Sequence, residues 1–207
     1  MKKPLKVVVT GGPGGGKTTA LDLFRRELKE QIVVVPEAAT LLFSGGITRS
    51  DNEQCIKMVQ KTIFQLQKNM EEIHKIQYPD RLLVCDRGSL DGLAYWPDSE
   101  EDFFTQVNST FEKELERYDA VIFFESAAAS GQDISSNNPT RHESLEQAAK
   151  LDKKLQRVWS KHPHFYFVGS SESFVRKIMF GIMTLENVIN RYPASNPNDL
   201  GSNSEQF

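Results

Sequence analysis

The sequence predicts an α/β protein with a doubly wound, five-stranded parallel sheet and helices on both of its faces. Two observations support this fold class. First, five short apolar runs alternate with longer stretches whose apolar residues recur at helical spacing, which is typical of consecutive β-α-β units. Second, the run Val7-Val8-Val9-Thr10 leads directly into Gly11-Gly12-Pro13-Gly14-Gly15-Gly16-Lys17-Thr18, which fits the pattern G-x-x-x-x-G-K-S/T without a mismatch.

The first β-α-β unit is expected at the N-terminal end. A strand is predicted over residues 5–10, and helical spacing of apolar residues predicts a first helix over residues 17–30. The β-branched run Ile32-Val33-Val34-Val35 ends at Pro36. This pattern favours a second strand that is buried on both faces of a parallel sheet.

A long helix is expected from about residue 51 to residue 77. Ser50 or Asp51 is the expected N-cap, with Glu53 or Gln54 placed to complete a capping box. Apolar residues that step by three or four predict one buried face, formed by Ile56, Val59, Ile63, Leu66, Met70, Ile73 and Ile76.

The second half of the chain continues the same alternation. The remaining strands are expected over residues 81–85, 120–124 and 165–168. Helices are expected as short pieces between residues 89 and 118, and as longer ones over residues 141–161 and 173–190.

Two segments are expected to lack regular structure. Residues 126–140 are rich in Ala, Ser, Asn and Gly, which predicts a mobile lid segment. The polar residues 191–207 predict a disordered tail. A single folded domain is therefore expected over residues 1–190.

The overall charge argues against a polyanionic partner. The 25 basic and 28 acidic side chains leave a net charge of −3, so nucleic acid is not an expected partner. No apolar stretch approaches the roughly 18 residues that span a bilayer, and no signal-type segment is seen. A cytoplasmic protein without a transmembrane segment is expected.

The glycine-rich motif predicts a nucleoside-triphosphate site in the fold of the P-loop NTPases. Glycines let the backbone turn so that successive N–H groups meet phosphate oxygens at a helix N-terminus. Lys17 is expected to reach the β- and γ-phosphates, and the Thr18 hydroxyl to ligate Mg²⁺. The nucleotide-binding residues predicted from the motif are Gly11, Gly12, Gly14, Gly15, Gly16, Lys17, Thr18 and Thr19.

Acidic residues follow three of the predicted strands, at Glu37, Asp86 and Glu125. The carboxyl ends of parallel strands meet at the edge of the sheet where ligands bind, so these side chains are expected near the phosphate loop. Asp86 and Thr18 are the predicted Mg²⁺ ligands, because Mg²⁺ prefers oxygen and keeps several waters. A turn-forming or helix-capping role is the alternative for Asp86.

Three residues are predicted on the acceptor side. The planar fork of Arg87 suits phosphate oxygens, with a structural salt bridge as the alternative. Glu37 is predicted to accept the proton of an attacking hydroxyl or to bind a sugar, with a helix cap as the alternative. Asp91 either faces the same cleft or caps a helix.

Further candidates come from the lid and from the helices. Arg141 follows the predicted lid and is expected to neutralise charge on the transferred phosphoryl group, unless it is simply solvated. Gln65 and Gln67 either read a base or face water. Tyr95 and Trp96 either stack on a planar substrate or form an ordinary aromatic cluster.

Four segments together resemble a known group of proteins. They are residues 11–19, Val35-Pro36-Glu37-Ala38-Ala39-Thr40, Cys85-Asp86-Arg87-Gly88 with Asp91, and Arg141-His142-Glu143. These segments are similar to the nicotinamide riboside kinase-like domains of the AAA family and, more distantly, to thymidylate kinases. The resemblance covers about residues 6–189. It implies phosphoryl transfer, with Glu37 and Asp86 facing the acceptor and Mg²⁺, and Arg87 and Arg141 as cations on the phosphate side.

The predicted function is ATP- and Mg²⁺-dependent phosphoryl transfer to a nucleoside, a nucleotide or a related small metabolite, with GTP as the alternative nucleotide. A regulatory switch that hydrolyses ATP or GTP slowly is the second hypothesis. It is disfavoured because the chain has no Asn-Lys-x-Asp guanine signature, and Asp86-Arg87-Gly88 is not an Asp-x-x-Gly switch motif. A ring-forming motor subunit is a third, weaker hypothesis, since no Asp-Glu pair follows an apolar strand.

Overall fold

The computed structural model describes residues 5–129, 145–171 and 173–191. The strands are β1 (Lys6–Thr10), β2 (Ile32–Val35), β3 (Leu82–Asp86), β4 (Ala120–Phe124) and β5 (Phe165–Val168). The α-helices of the described residues are α1 (Lys17–Leu28), α2 (Ala38–Ser44), α3 (Glu53–Gln77), α4 (Asp91–Tyr95), α5 (Glu100–Val107), α6 (Phe111–Leu115), α7 (Leu145–Trp159) and α8 (Phe174–Arg191). One turn of 3-10 helix, Lys29–Gln31, links α1 to β2.

All five strands run parallel, in the order β2-β3-β1-β4-β5. The central strand β1 pairs with β3 on one side, where Val9 lies opposite Asp86, and with β4 on the other, where Thr10 lies opposite Phe123. Every residue of β1 is buried, as expected for an apolar run inside a parallel sheet. The predicted five-stranded parallel α/β fold is therefore confirmed.

Helices cover both faces of the sheet, so the sheet is doubly wound. On one face, Val7 and Val9 pack with Phe24 of α1 in a core that also includes residues of α8. On the other face, Val8 packs with Trp159 of α7 in a core that also includes residues of α3. Successive β1 residues thus supply opposite cores, because side chains alternate along a strand.

The N-cap predicted for α3 is wrong. The helix begins at Glu53, and the side chain of Asn52 accepts a hydrogen bond from the Cys55 N–H at 3.1 Å. Ser50 instead accepts a hydrogen bond from the Asn52 N–H at 3.1 Å. The chain before α3 is thus fixed by two successive side-chain contacts, and the second of them caps the helix.

The buried face predicted for α3 is also partly wrong. Ile73 and Ile76 are 50% and 77% exposed, and much of the buried face is polar. The buried residues of α3 are Gln60, Phe64, Gln67, Met70 and Glu71. Glu71 is held in the interior by Lys6 Nζ at 2.8 Å and by the hydroxyl of Tyr118 at 2.8 Å. Apolar spacing could not predict this face because buried ion pairs and hydrogen bonds satisfy its polar residues.

Several predictions concern residues beyond the described part of the chain. Arg141, most of the lid predicted over residues 126–140 and nearly all of the predicted tail fall there. Arg191, assigned to that tail, is the last residue of α8. Within the described residues, no helix combines the length and the apolar character needed to cross a membrane.

Candidate functional site

Residues predicted from separate motifs meet at one cavity, at the carboxyl ends of β1 and β3. Its volume is about 760 Å³, within the range of small-molecule sites. The predicted site residues that line it are Lys17, Thr18, Glu37, Asp86, Arg87 and Asp91. The parallel topology brings them together, because the segments that follow β1, β2 and β3 all emerge at the same edge of the sheet.

The loop between β1 and α1 needs glycine at particular points. Gly11 and Gly16 have φ angles of 131° and 91°, which residues with a side chain rarely adopt. A Cβ on Gly11 would also lie 1.9 Å from the carbonyl oxygen of Phe124 at the end of β4. Gly16, at the N-cap of α1, offers no side chain to cap the helix, and among the described residues no other side chain does so. The N–H groups of the first turn are therefore available to an anion.

The other predicted nucleotide-binding residues lie in the same loop and at the start of α1. Gly12, Gly14 and Gly15 belong to the loop, and Thr18 is exposed in the first turn of α1. Thr19 is also exposed, but it does not line the cavity. Thr18 is therefore the one of these two residues that borders the space for a ligand.

Lys17 is folded back onto the loop. Its Nζ donates hydrogen bonds to the carbonyl oxygens of Gly11 and Gly12, at 2.8 and 2.7 Å. Burial, followed by the nearby charge of Arg87, lowers the pKa of Lys17 to about 7, although Asp86 and two other carboxylates oppose this. Phosphate oxygens would favour the charged ammonium and draw it away from the loop carbonyls.

Asp86 is the last residue of β3, and it lines the cavity. Burial, followed by repulsion from Glu37, raises the pKa of Asp86 to about 6. Within the part of the chain that the structure describes, no hydrogen bond reaches this carboxylate. A cation at Asp86 would favour the ionised carboxylate and so lower its pKa.

The donor set fits Mg²⁺ only if a ligand supplies further oxygens. Thr18 and Asp86 both line the cavity and offer a hydroxyl and a carboxylate, which are oxygen ligands that Mg²⁺ accepts. Among the described residues, no group of three or more His, Cys, Asp or Glu side chains is arranged to hold a metal. Phosphate oxygens and waters would have to complete the coordination.

Arg87 is clamped between two carboxylates. Its Nε donates to Glu37 Oε1 at 2.5 Å, and its Nη1 donates to Asp91 Oδ2 at 2.9 Å. Its backbone has a φ of 70°, unusual for a residue with a side chain, and its carbonyl oxygen accepts a hydrogen bond from Gln67 Nε2 at 3.2 Å. The guanidinium is thereby fixed in the cavity wall.

Glu37 is positioned by Arg87 and Thr40. The Thr40 hydroxyl donates to its Oε2 at 2.5 Å. Burial alone would raise the pKa of Glu37, but the charge of Arg87 and the Thr40 hydrogen bond outweigh it, so the pKa is lowered. Glu37 occupies the N-cap position of α2, yet its side chain caps no backbone N–H. The ionised carboxylate therefore belongs to the cavity wall rather than to a helix cap.

Asp91 lines the cavity, but its carboxylate is already engaged. It accepts hydrogen bonds from the Thr10 hydroxyl at 2.8 Å, from Trp159 Nε1 at 2.6 Å and from Arg87 Nη1. The residue is 4% exposed, and it does not cap α4. In this geometry, Asp91 joins β1, α7 and Arg87.

The glutamines of α3 differ in their position relative to the cavity, and the sequence did not predict that Gln60 lines it. Gln60 and Gln67 of α3 are buried and line it, whereas Gln65 is exposed and donates to Asn69. Helical phase alone would have separated Gln60 and Gln67 from Gln65, since 60 and 67 lie on the face of Phe64.

Aromatic residues divide in the same way. Tyr95 lines the cavity, while Trp96 is buried against Phe103 with ring centroids 5.2 Å apart. At the α2 side, the Arg49 guanidinium lies 4.9 Å from the ring centroid of Phe43, and both residues line the cavity. The cavity therefore combines charged groups near the phosphate loop with aromatic and amide groups farther along α2, α3 and α4.

Binding of Mg²⁺-ADP at about pH 8 is expected to take up close to one proton per site, because Lys17 with a pKa near 7 is mostly neutral there. Phosphate raises that pKa and draws a proton from the buffer. Asp86, with a pKa of about 6, is already ionised and releases none. Calorimetric titrations in two buffers of different ionisation enthalpy measure this uptake.

The matched control for the proton uptake is Lys17→Arg, because arginine stays charged throughout this pH range. Its binding heats should be the same in both buffers once the uptake or release by the nucleotide itself is subtracted. Equal heats for the unmodified protein in the two buffers would contradict the assignment of a largely neutral Lys17.

The comparisons with known proteins agree with this architecture. A family model described as an AAA domain matches residues 6–177. A thymidylate kinase from Candida albicans superposes with a TM-score of 0.61 at 12% identity, covering 91% of this chain and 92% of that one. A thymidylate kinase from Ehrlichia chaffeensis gives a TM-score of 0.60 at 14% identity, covering 91% and 100%. No curated protein sequence matches the chain.

Proposed function

The chain belongs to the AAA domain family, and from this premise we propose that it transfers a phosphoryl group from Mg²⁺-ATP to a nucleoside, a nucleotide or a related small metabolite. The observation that carries the proposal is the cavity that joins the phosphate loop, Asp86 and the Arg87–Glu37 pair. The predicted AAA family and the thymidylate kinase-like fold are confirmed. The narrower likeness to nicotinamide riboside kinase-like domains stays a prediction.

The donor side is the phosphate loop. Its glycine N–H groups and the N-terminus of α1 would bind the phosphates, and Lys17 would exchange the carbonyls of Gly11 and Gly12 for phosphate oxygens. Thr18 and Asp86 would hold Mg²⁺, which supplies charge neutralisation on the β- and γ-phosphates when it is bound. Positioning and electrostatics would do most of the work, because a metaphosphate-like transition state needs little covalent help.

The acceptor side is formed by Arg87 and Glu37, with Asp91 behind them. Arg87 donates hydrogen bonds from Nε to Glu37 and from Nη1 to Asp91. No described residue accepts a hydrogen bond from its Nη2. That nitrogen suits an acceptor phosphate or the transferred group. The ionised Glu37 could accept a hydrogen bond, and then a proton, from an acceptor hydroxyl. Asp91 contributes by holding Arg87, in addition to its predicted role towards the substrate.

The proposal is tested with γ-labelled ATP, and separately with GTP, incubated with Mg²⁺ and a panel of nucleosides and nucleoside monophosphates. Label should move to one acceptor class faster than to water, and chelation of Mg²⁺ should stop the transfer. Asp86→Asn should slow the transfer and weaken its dependence on Mg²⁺. Asp98→Asn is the matched control, since Asp98 is exposed and lies outside the cavity lining.

The alternative of a nucleotide-dependent switch gives a different result in the same experiment. A switch would release label only to water, slowly, and would transfer none to any acceptor in the panel. A protein that binds neither nucleotide would contradict both functions.

A further inference from the structure

We propose that Asp152, on α7, is a positioning residue that holds the phosphate loop in shape for its ligand. The inference rests on the proposed nucleotide site and adds a residue that lies 140 positions from the loop in sequence. Asp152 belongs to neither the glycine motif nor the acidic residues that end strands. Its role is argued from its contacts, from the identity of residue 12 and from the second anchor of α7.

The carboxylate of Asp152 joins two backbone segments at the edge of the sheet. Its Oδ1 accepts a hydrogen bond from the Gly12 N–H at 2.7 Å and another from the Ser126 N–H at 2.9 Å. Asp152 is 1% exposed, so both bonds are shielded from water. Hydrogen bonds from buried N–H groups to a carboxylate are among the stronger ones in proteins.

The contact explains why residue 12 is glycine. Its φ angle is not among the left-handed ones of the loop, so backbone conformation does not demand glycine there. Space does. A Cβ on Gly12 would lie 2.4 Å from Asp152 Oδ1 and 2.8 Å from Asp152 Cβ. The phosphate loop and α7 therefore touch where a side chain on residue 12 would separate them.

Both polar backbone groups of Gly12 are hydrogen-bonded. Its N–H donates to Asp152, and its carbonyl oxygen accepts from Lys17 Nζ at 2.7 Å. When Lys17 turns to a phosphate, the carbonyl loses that donor and Asp152 keeps its hold on the N–H. Asp152 is thus the contact that retains the loop's shape in the state that binds phosphate.

A second anchor connects the same helix to the acceptor side. Trp159 lies two turns after Asp152 on the same face of α7, and its Nε1 donates to Asp91. Asp91 in turn accepts from Arg87. Gln147 and Leu151, which precede Asp152 on α7, line the cavity. By fixing α7 to Gly12, Asp152 sets the distance between the phosphate loop and this wall.

The test measures the affinity of purified variants for Mg²⁺-ADP and for Mg²⁺-tripolyphosphate by calorimetry. Asp152→Ala should weaken both probes by at least about tenfold, which corresponds to about 1.4 kcal/mol. Asp152→Asn keeps an oxygen that can accept both N–H groups, so its affinity should stay within about threefold of wild type. Tripolyphosphate has no base, so a weaker affinity of the variant for this probe reports on the phosphate loop itself.

Leu155→Ala is the matched control for a general loss of packing. Leu155 lies one turn along α7, is fully buried in a cluster with Ala94 and Phe123, and is not among the described residues that line the cavity. It should lower the thermal midpoint as Asp152→Ala does, yet keep the affinity for both probes. An equal loss of affinity in Leu155→Ala would assign Asp152 a merely structural role.

Gly12→Ala keeps the proposal testable if Asp152→Ala does not fold. Its Cβ would lie 2.4 Å from Asp152 Oδ1, so the change should displace the Asp152 carboxylate from the loop and lower the affinity for both probes about as much. Wild-type affinity in Asp152→Ala or Gly12→Ala would overturn the proposal. Failure of the unmodified protein to bind either probe would instead overturn the proposed function, and the positioning role with it.

Discussion

Replacing Lys17 with alanine is expected to reduce the proposed phosphoryl transfer by at least about 10³-fold, because the loop would lose the ammonium that we propose offsets the phosphate charge. Among the residues that the structure describes, Lys17 bonds only to the carbonyls of Gly11 and Gly12, so the variant should still fold. Initial rates of label transfer from ATP at saturating Mg²⁺ measure the effect on turnover. Calorimetry on the same samples separates weaker binding from slower chemistry.

Two variants bracket the effect of Lys17. Arg26→Ala removes an exposed cation from the same helix and should leave the rate unchanged. Lys17→Arg keeps the charge but replaces a compact ammonium by a larger planar group, and should restore only part of the activity. If Lys17→Ala turned over like the unmodified protein, the phosphate loop would have no part in the reaction.

Arg87→Ala is expected to lower the free energy of unfolding by about 3–5 kcal/mol, because it strands two largely buried carboxylates without their cation. The side chains of Glu37 and Asp91 are 25% and 6% exposed in the wild-type pairs. Urea unfolding followed by fluorescence measures the loss, and the slope of the transition shows whether unfolding stays two-state. The proposed phosphoryl transfer should fall as well, since we propose that the same guanidinium faces the acceptor.

Arg81 provides the matched control for Arg87. It lies just before β3, and its guanidinium pairs with Glu30, whose side chain is 83% exposed. Exposed pairs contribute little, so Arg81→Ala should unfold close to wild type. Adding Glu37→Gln to Arg87→Ala should recover part of the lost stability by removing one unpaired charge. A loss below about 1 kcal/mol in Arg87→Ala would show that the carboxylates are not dependent on this cation.

Those site residues that sit at fixed places in the β-α-β pattern could be predicted from the sequence. The glycine motif gives Lys17 and Thr18 directly. Glu37 and Asp86 could be placed because each follows an apolar run, and parallel strands end at the same edge of the sheet. For these residues, local pattern and topology together determine the position in space.

The contacts made by α7 could not be predicted in the same way. Asp152 and Trp159 lie in an amphipathic stretch, where an aspartate usually faces solvent and a tryptophan usually packs in a core. Their partners Gly12 and Asp91 are 140 and 68 residues away, and only tertiary packing decides that they meet. Gln67 is similar, because its partner is the carbonyl of Arg87, a group that every residue carries.

The position of β1 at the centre of the sheet has a consequence for how the chain folds. During synthesis β1 emerges first, yet its two neighbours begin only at residues 82 and 120. Long-range pairings of this kind form slowly, and until they do both edges of β1 stay open to other chains. Gly11 lies against the end of β4. A nascent chain that has not yet reached β4 therefore lacks the contact that supports the phosphate loop. The shape of the phosphate loop would therefore be completed late in the maturation of this protein.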